Sequence, residues 1–93
     1  RPVPIESSKF KLECDLAVIA VGAGPNPLLT QSTSGLKLNK RGYIDIDEET
    51  GKTSKKGVWA GGDIVTGSAT VILAMGAGRV ASESIHKYLT LGW

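Results

Sequence analysis

The residues of this chain best placed to do chemistry lie in the stretch "VWAGGDIVTGSATV". Gly61 and Gly62 carry no side chains, so a ligand can lie directly on the backbone where an apolar strand ends. Asp63 follows with an acceptor-only carboxylate, suited to the hydroxyls of a sugar or sugar alcohol. A helix expected from about Ala69 aims free N–H groups and a partial positive charge at the same place. Open α/β sheets bind ligands at the carboxyl ends of their strands, so the order of strand, glycines, acid and helix fits a polar, partly anionic, hydroxylated ligand. The plainer alternative is that Asp63 only caps a turn, closing "DIVTG" on itself. The residues alone leave both open.

Other constellations are poorer. Cys14 is the single cysteine and His86 the single histidine. They offer no internal disulfide, no zinc spacing and no Cys/His nucleophile pair. A reducing, cytoplasmic setting fits that cysteine usage. "GAGPNP" (Gly22, Gly24) follows an apolar run as a dinucleotide loop should, but Pro25 and Pro27 stop the helix that would hold the pyrophosphate. "GAGRVA" (Gly76, Gly78, Ala81) has the letters of G-x-G-x-x-A but lies inside a helical pattern with no strand before it. The small residues Ala74, Gly76, Ala77, Gly78 and Ala81 are better explained as room for another backbone. Each glycine costs a helix about 1 kcal/mol against alanine, which packing must offset.

The elements that would position Asp63 follow from pattern. Leu16 to Val21 are six consecutive apolar residues between Asp15 and Gly22, read as a strand covered on both faces. Before it, "KFKLEC" alternates, with Phe10, Leu12 and Cys14 on one face. A single helical turn fits Leu28–Gln31, a short alternating strand Tyr43–Asp47, and a second short buried strand Val58–Ala60. The last helix is expected over about Ala69–Leu89, capped by Thr66 or Ser68 and ended by Gly92. Its apolar stripe is Val71, Ala74, Met75, Gly78, Ala81, Ile85 and Leu89. The pattern is α/β or α+β.

Bulk properties narrow the class. The 93 residues suffice for one small domain, and 41% hydrophobic with 22% charged residues is ordinary for a globular chain. A net charge of +2 is too small for a nucleic-acid partner. Lys37, Lys40, Arg41, Lys52, Lys55 and Lys56 are interrupted by Asp45, Asp47, Glu48 and Glu49, as on a solvated loop surface. The longest apolar run falls far short of the ~20 residues needed to span a bilayer, so no membrane partner is expected. The opening "RPVPIESSKFKLEC" reads like a passage from inside a larger protein.

Three segments together resemble a known family: Ala20–Asn26 ("AVGAGPN"), Gly42–Asp47 ("GYIDID") and Thr53–Asp63 ("TSKKGVWAGGD"), followed by the Gly/Ala-rich helix. In this order and spacing they look like the C-terminal part of the two-dinucleotide-binding flavoproteins of the pyridine nucleotide-disulfide oxidoreductase superfamily. Within it they are most similar to the glutamate synthase small (beta) subunit and its relatives. The resemblance implies a partial Rossmann-like FAD/NAD(P)-binding domain: a few strands plus a long C-terminal helix. Residues 1–28 would supply the last strand of the NAD(P) part, and residues 29–93 the C-terminal part of the FAD domain.

It further implies that Asp63 and Gly62 meet an FAD ribityl hydroxyl. Ala69, Thr70 and Val71 would offer N–H groups to the pyrimidine end of the isoalloxazine, and Gly22 would sit near the flavin. The implied reaction is hydride transfer from NADPH to FAD, with no side chain of this segment acting as acid or base. Electrons would pass on through iron–sulfur clusters, held in missing regions or in a partner subunit. A large subunit or a ferredoxin-like carrier would be that partner, besides the rest of the parent chain. The N-terminal G-x-G-x-x-G units of the family are absent from these residues, as are its cysteine clusters. The chain is therefore expected to be one piece of a much longer subunit, with apolar surface that favours self-association. The rival from another class is an autonomous, non-catalytic α/β protein-interaction module.

Overall fold

The computed structural model describes residues 2–93; Arg1, the first of the 1–28 stretch, lies outside them. Three helices are present: α1 (Pro27–Ser32), α2 (Asp63–Thr66) and α3 (Val71–Leu91). The remaining order comes from turns and three isolated antiparallel bridges, Leu38↔Ile44, Ile46↔Thr53 and Lys52↔Trp59.

The bridges build a small meander whose turns are written in its polar residues. Asn39 folds the first: its Oδ1 accepts from the N–H groups of Arg41 (2.9 Å) and Tyr43 (3.1 Å), and Gly42 takes φ +83°. Asp47 folds the second, its Oδ1 accepting from Glu49 N–H at 2.9 Å and its carbonyl from Gly51 N–H at 2.7 Å. Thr53, nearly buried, closes the third by donating from Oγ1 to the Val58 carbonyl (2.9 Å) and accepting from Lys55 N–H (3.1 Å). Ile44 N–H donates to the Ile64 carbonyl at 3.0 Å, which ties the meander to the chain just before α3. Ile44 is the one buried hydrophobic residue among those described.

The long helix packs on the meander by a face other than the expected one. Its inward residues are Ala74, Ala77, Ala81, Ser84 and Tyr88, spaced by three and four. Of the expected stripe only Ala74 and Ala81 face inward, whereas Val71, Met75, Gly78, Ile85 and Leu89 are exposed. The cause is the opposing surface. A Cβ added at Gly61 would stand 2.9 Å from Ala77 Cβ, at Gly51 3.3 Å from Ala81 Cβ, and at Gly62 3.7 Å from Ala74 Cβ. Backbone lies directly on the helix there, and only small side chains fit beneath it. Gly76 and Gly78, by contrast, face open space. At the far end Trp59, Tyr88 and Trp93 form an aromatic cluster with ring centroids 5.0 to 5.5 Å apart. Trp59 Nε1 donates to Ser84 Oγ at 2.9 Å, and Lys52 Nζ donates to the Trp93 carbonyl at 2.6 Å.

The expected strand over Leu16–Val21 is not formed. Residues 2–26 make no backbone hydrogen bond to any other segment, and Leu16, Val18, Ile19 and Val21 are 77 to 93% exposed. A strand requires a partner edge, and no described residue supplies one here. This arm stretches the molecule to 62 × 29 × 21 Å, with a radius of gyration of 18.7 Å, against about 12 Å for a compact domain of this length. No helix among the described residues is long and apolar enough to cross a membrane.

Candidate functional site

The site grows from the loop that joins the meander to α3. After Ala60 the chain passes Gly61 and then Gly62, whose φ of +84° suits a residue without Cβ. Asp63 opens the single turn α2, and its carbonyl accepts from Gly67 N–H at 3.0 Å. Gly67, buried at φ +83°, has the Tyr43 hydroxyl close by; a Cβ there would lie 3.2 Å from that oxygen. The loop then reaches Thr70, whose Oγ1 accepts from Leu73 N–H at 3.3 Å and caps α3. The cap is thus Thr70, not the expected Thr66 or Ser68, and α3 starts two residues later than the expected Ala69. Thr70 is extended, at φ -84° and ψ 156°, so the helix can begin only after it.

Asp63 takes the plainer of the two roles its position suggested. Its Oδ1 accepts from Ala69 N–H at 3.3 Å, so it closes the loop. That is its one hydrogen bond from a side-chain oxygen among the described residues, and Asp63 remains exposed beside the start of a 21-residue helix. The N–H groups of Val71 and Ile72 have no partner among the described residues, as the first turn of a helix dictates. Val71 itself is 75% exposed. A carboxylate acceptor and a set of backbone donors therefore stand side by side on an open surface.

The tip of "GAGPN" comes to the same place. Ala23, Gly24, Pro25 and Asn26 line a cleft of about 240 Å³ with Tyr43, Asp63, Ile64 and Ser68. Asn26 Oδ1 is occupied in capping α1, accepting from Leu28 N–H at 3.0 Å. Of the six residues expected in the site, Gly62, Asp63, Ala69, Thr70 and Val71 are neighbours along one loop and helix start. Gly22 is not among them: it lies on the extended arm, one residue before Ala23 of the cleft wall. Sequence reasoning missed Tyr43 and Ser68 as cleft walls. The signal for Tyr43 was an aromatic residue directly after the turn glycine in "RGYIDID". A second cleft of about 230 Å³ lies at the other end of α3, against Glu49, Thr50 and the aromatic cluster, and holds none of these residues.

The comparisons with known proteins agree with these motifs. Residues 4–78 match the family model described as pyridine nucleotide-disulphide oxidoreductase. The chain belongs to that family. It is 42% identical over 92 residues to the NADP(+)-dependent formate dehydrogenase subunit beta of Moorella thermoacetica, covering 99% of this chain and 13% of that protein. It is 39% identical over 88 residues to the glutamate synthase [NADPH] small chain of Azospirillum brasilense, covering 94% of this chain and 18% of that protein. The likeness to glutamate synthase small chains expected from "AVGAGPN", "GYIDID" and "GGD" is thus present over nearly the whole sequence. The family implies a Rossmann-like fold, of which the described residues form a small part: three helices, isolated bridges and a long last helix. The chain spans well under a quarter of the length of these relatives.

Proposed function

We propose that this chain supplies the flavin-facing part of an NAD(P)H-dependent flavin oxidoreductase of the glutamate synthase small-chain type. The observation that carries it is Asp63, exposed beside the partnerless N–H groups that begin α3, in a chain of this family. The residues fit one end of a flavin. Asp63 accepts from a ribityl hydroxyl, with Gly62 leaving room for it. Ala69, Thr70 and Val71 present the helix start to the pyrimidine end of the isoalloxazine. Negative charge developing on that end is favoured by the helix dipole, worth about 0.3–1 kcal/mol at an exposed site. Gly22 would join them once the arm pairs with the strands it lacks here.

The bound flavin supplies the redox chemistry, accepting hydride from NADPH. This chain's own residues bind and orient; none needs to move a proton. A cleft of about 240 Å³ takes only part of a flavin, so the rest of the pocket comes from the remainder of a longer subunit. In the same proposal residues 1–28 close the NAD(P) part and residues 29–93 complete the FAD part. Electrons leave through iron–sulfur clusters outside these residues, toward a large subunit or a ferredoxin-like carrier, in a cytoplasmic setting.

The test is FAD titration followed by quenching of flavin fluorescence, in the full-length subunit and in its Asp63→Ala variant. Loss of a hydroxyl's acceptor should weaken retention by roughly 1–3 kcal/mol, with helix content unchanged. Equal flavin occupancy in the variant and the parent would overturn the assignment.

A further inference from the structure

Tyr43 is joined to the loop that carries Asp63 by more than a shared cleft. Beyond Ile64 that loop is loosely held: residues 65–69 make hydrogen bonds, among the described residues, only within the loop itself. The meander holds it through two adjacent residues. Ile44 N–H donates to the Ile64 carbonyl at 3.0 Å. The half-buried Tyr43 ring reaches further along, to buried Gly67, where a Cβ would lie 3.2 Å from the Tyr43 hydroxyl oxygen, 3.4 Å from Cζ and 3.9 Å from Cε2. Tyr43 is itself anchored, its N–H donating to Asn39 Oδ1 at 3.1 Å and its carbonyl accepting from Asn39 N–H at 2.8 Å. These contacts are internal to the chain, and no open edge or uncovered face enters them.

We propose that Tyr43 is a positioning residue of the flavin site, a role that rests on the flavin reading above: its ring, set on Gly67, fixes the Asp63 carboxylate relative to the first N–H groups of α3. The linkage is short. Gly67 N–H donates to the Asp63 carbonyl at 3.0 Å, and Asp63 Oδ1 accepts from Ala69 N–H at 3.3 Å. A displacement at Gly67 is therefore passed to the acid on one side and to Ala69 on the other. Gly67 suits the contact on two counts, because it takes φ +83° and because the Tyr43 ring already occupies the space beside a Cβ. Without the ring the loop is free to take other conformations, and a flavin must reorder it on binding. Ordering even one loop residue costs about as much as a tenfold change in affinity, a cost that a preorganised loop avoids. Tyr43 touches no reacting atom in this role; it acts through Gly67.

The test uses the full-length subunit and its Tyr43→Ala, Tyr43→Leu, Tyr43→Phe and Asp63→Ala variants, each read by FAD affinity and by the midpoint potential of the bound flavin. Tyr43→Ala should bind FAD at least about tenfold more weakly, a difference of about 1.4 kcal/mol. Its flavin potential should also fall, because the helix start no longer faces the charge that gathers on reduced flavin. Tyr43→Leu fills space near the backbone without reaching Gly67 and carries the same expectation, so a poorly folding alanine variant leaves the test intact. Tyr43→Phe keeps the ring against Gly67 and should recover most of both losses. An Asp63→Ala variant that keeps its flavin overturns the flavin reading, and the role of Tyr43 with it. If Asp63→Ala loses flavin while Tyr43→Ala and Tyr43→Leu keep the parent's affinity and potential, the role of Tyr43 alone is overturned. It is overturned too by a loss of affinity at unchanged potential, or by a Tyr43→Phe variant as impaired as Tyr43→Ala.

Discussion

Replacing Gly61 by Ala would put a methyl carbon 2.9 Å from Ala77 Cβ, with Ala77 C and O at 3.4 and 3.5 Å. Carbon atoms prefer about 3.5–4.0 Å, so α3 and the loop must part by about half an ångström or more. The obstacle is a Cβ fixed to helical backbone, which cannot swing aside. Parting also loosens the contacts of Gly51 with Ala81 and of Gly62 with Ala74 on either side. Overpacking of this kind costs about 1–3 kcal/mol. Ala77→Gly removes the clashing methyl but costs about 1 kcal/mol in helix propensity. If the clash is the cause, the double variant should be little worse than Ala77→Gly alone, and the coupling should recover most of the Gly61→Ala penalty. Urea titration followed by the fluorescence of Trp59 and Trp93 measures all three. A Gly61→Ala penalty below ~0.5 kcal/mol, the range of ordinary surface substitutions, would refute the close approach. So would an equal penalty in the presence and absence of Ala77 Cβ.

Two further substitutions test the ends of α3. Thr70→Ala removes the side chain that accepts from Leu73 N–H and should cost about 1 kcal/mol of helix stability; circular dichroism in a thermal scan checks it, and Thr70→Ser should restore most of the loss. Trp59→Phe keeps an aromatic ring against Tyr88 and Trp93 but leaves the nearly buried Ser84 hydroxyl without its donor. It should cost about 1–2 kcal/mol and weaken the near-ultraviolet signal of the cluster, whereas Ser84→Ala with Trp59→Phe should cost less than the two separately.

Much of the site was legible because its signals are local. Asp63 after two glycines, a helix start within a few residues and the "AVGAGPN" tip are all features of chemistry and backbone freedom at fixed spacing. Gly92 ends α3 at φ +94° as its type predicts, and Pro27 with Asn26 before it gives α1 its start. The Thr70 cap was not legible. It depends on the loop closed by Asp63 and on Tyr43 lying against Gly67, and Tyr43 is distant in sequence.

The sequence by itself determined the family, a turn-rich stretch before Val58, and a helical period over about positions 69–89. Only the tertiary structure decided which face of α3 is inside. A helix with Val71, Ala74, Ala77, Met75, Ala81, Ile85 and Leu89 offers more than one apolar stripe. Gly51, Gly61 and Gly62 select the one made of alanines, because backbone-to-helix contact leaves no room for larger side chains. The same holds for Leu16–Val21: composition marks it as strand, but a strand exists only when another edge receives its hydrogen bonds, and that edge is not among these residues.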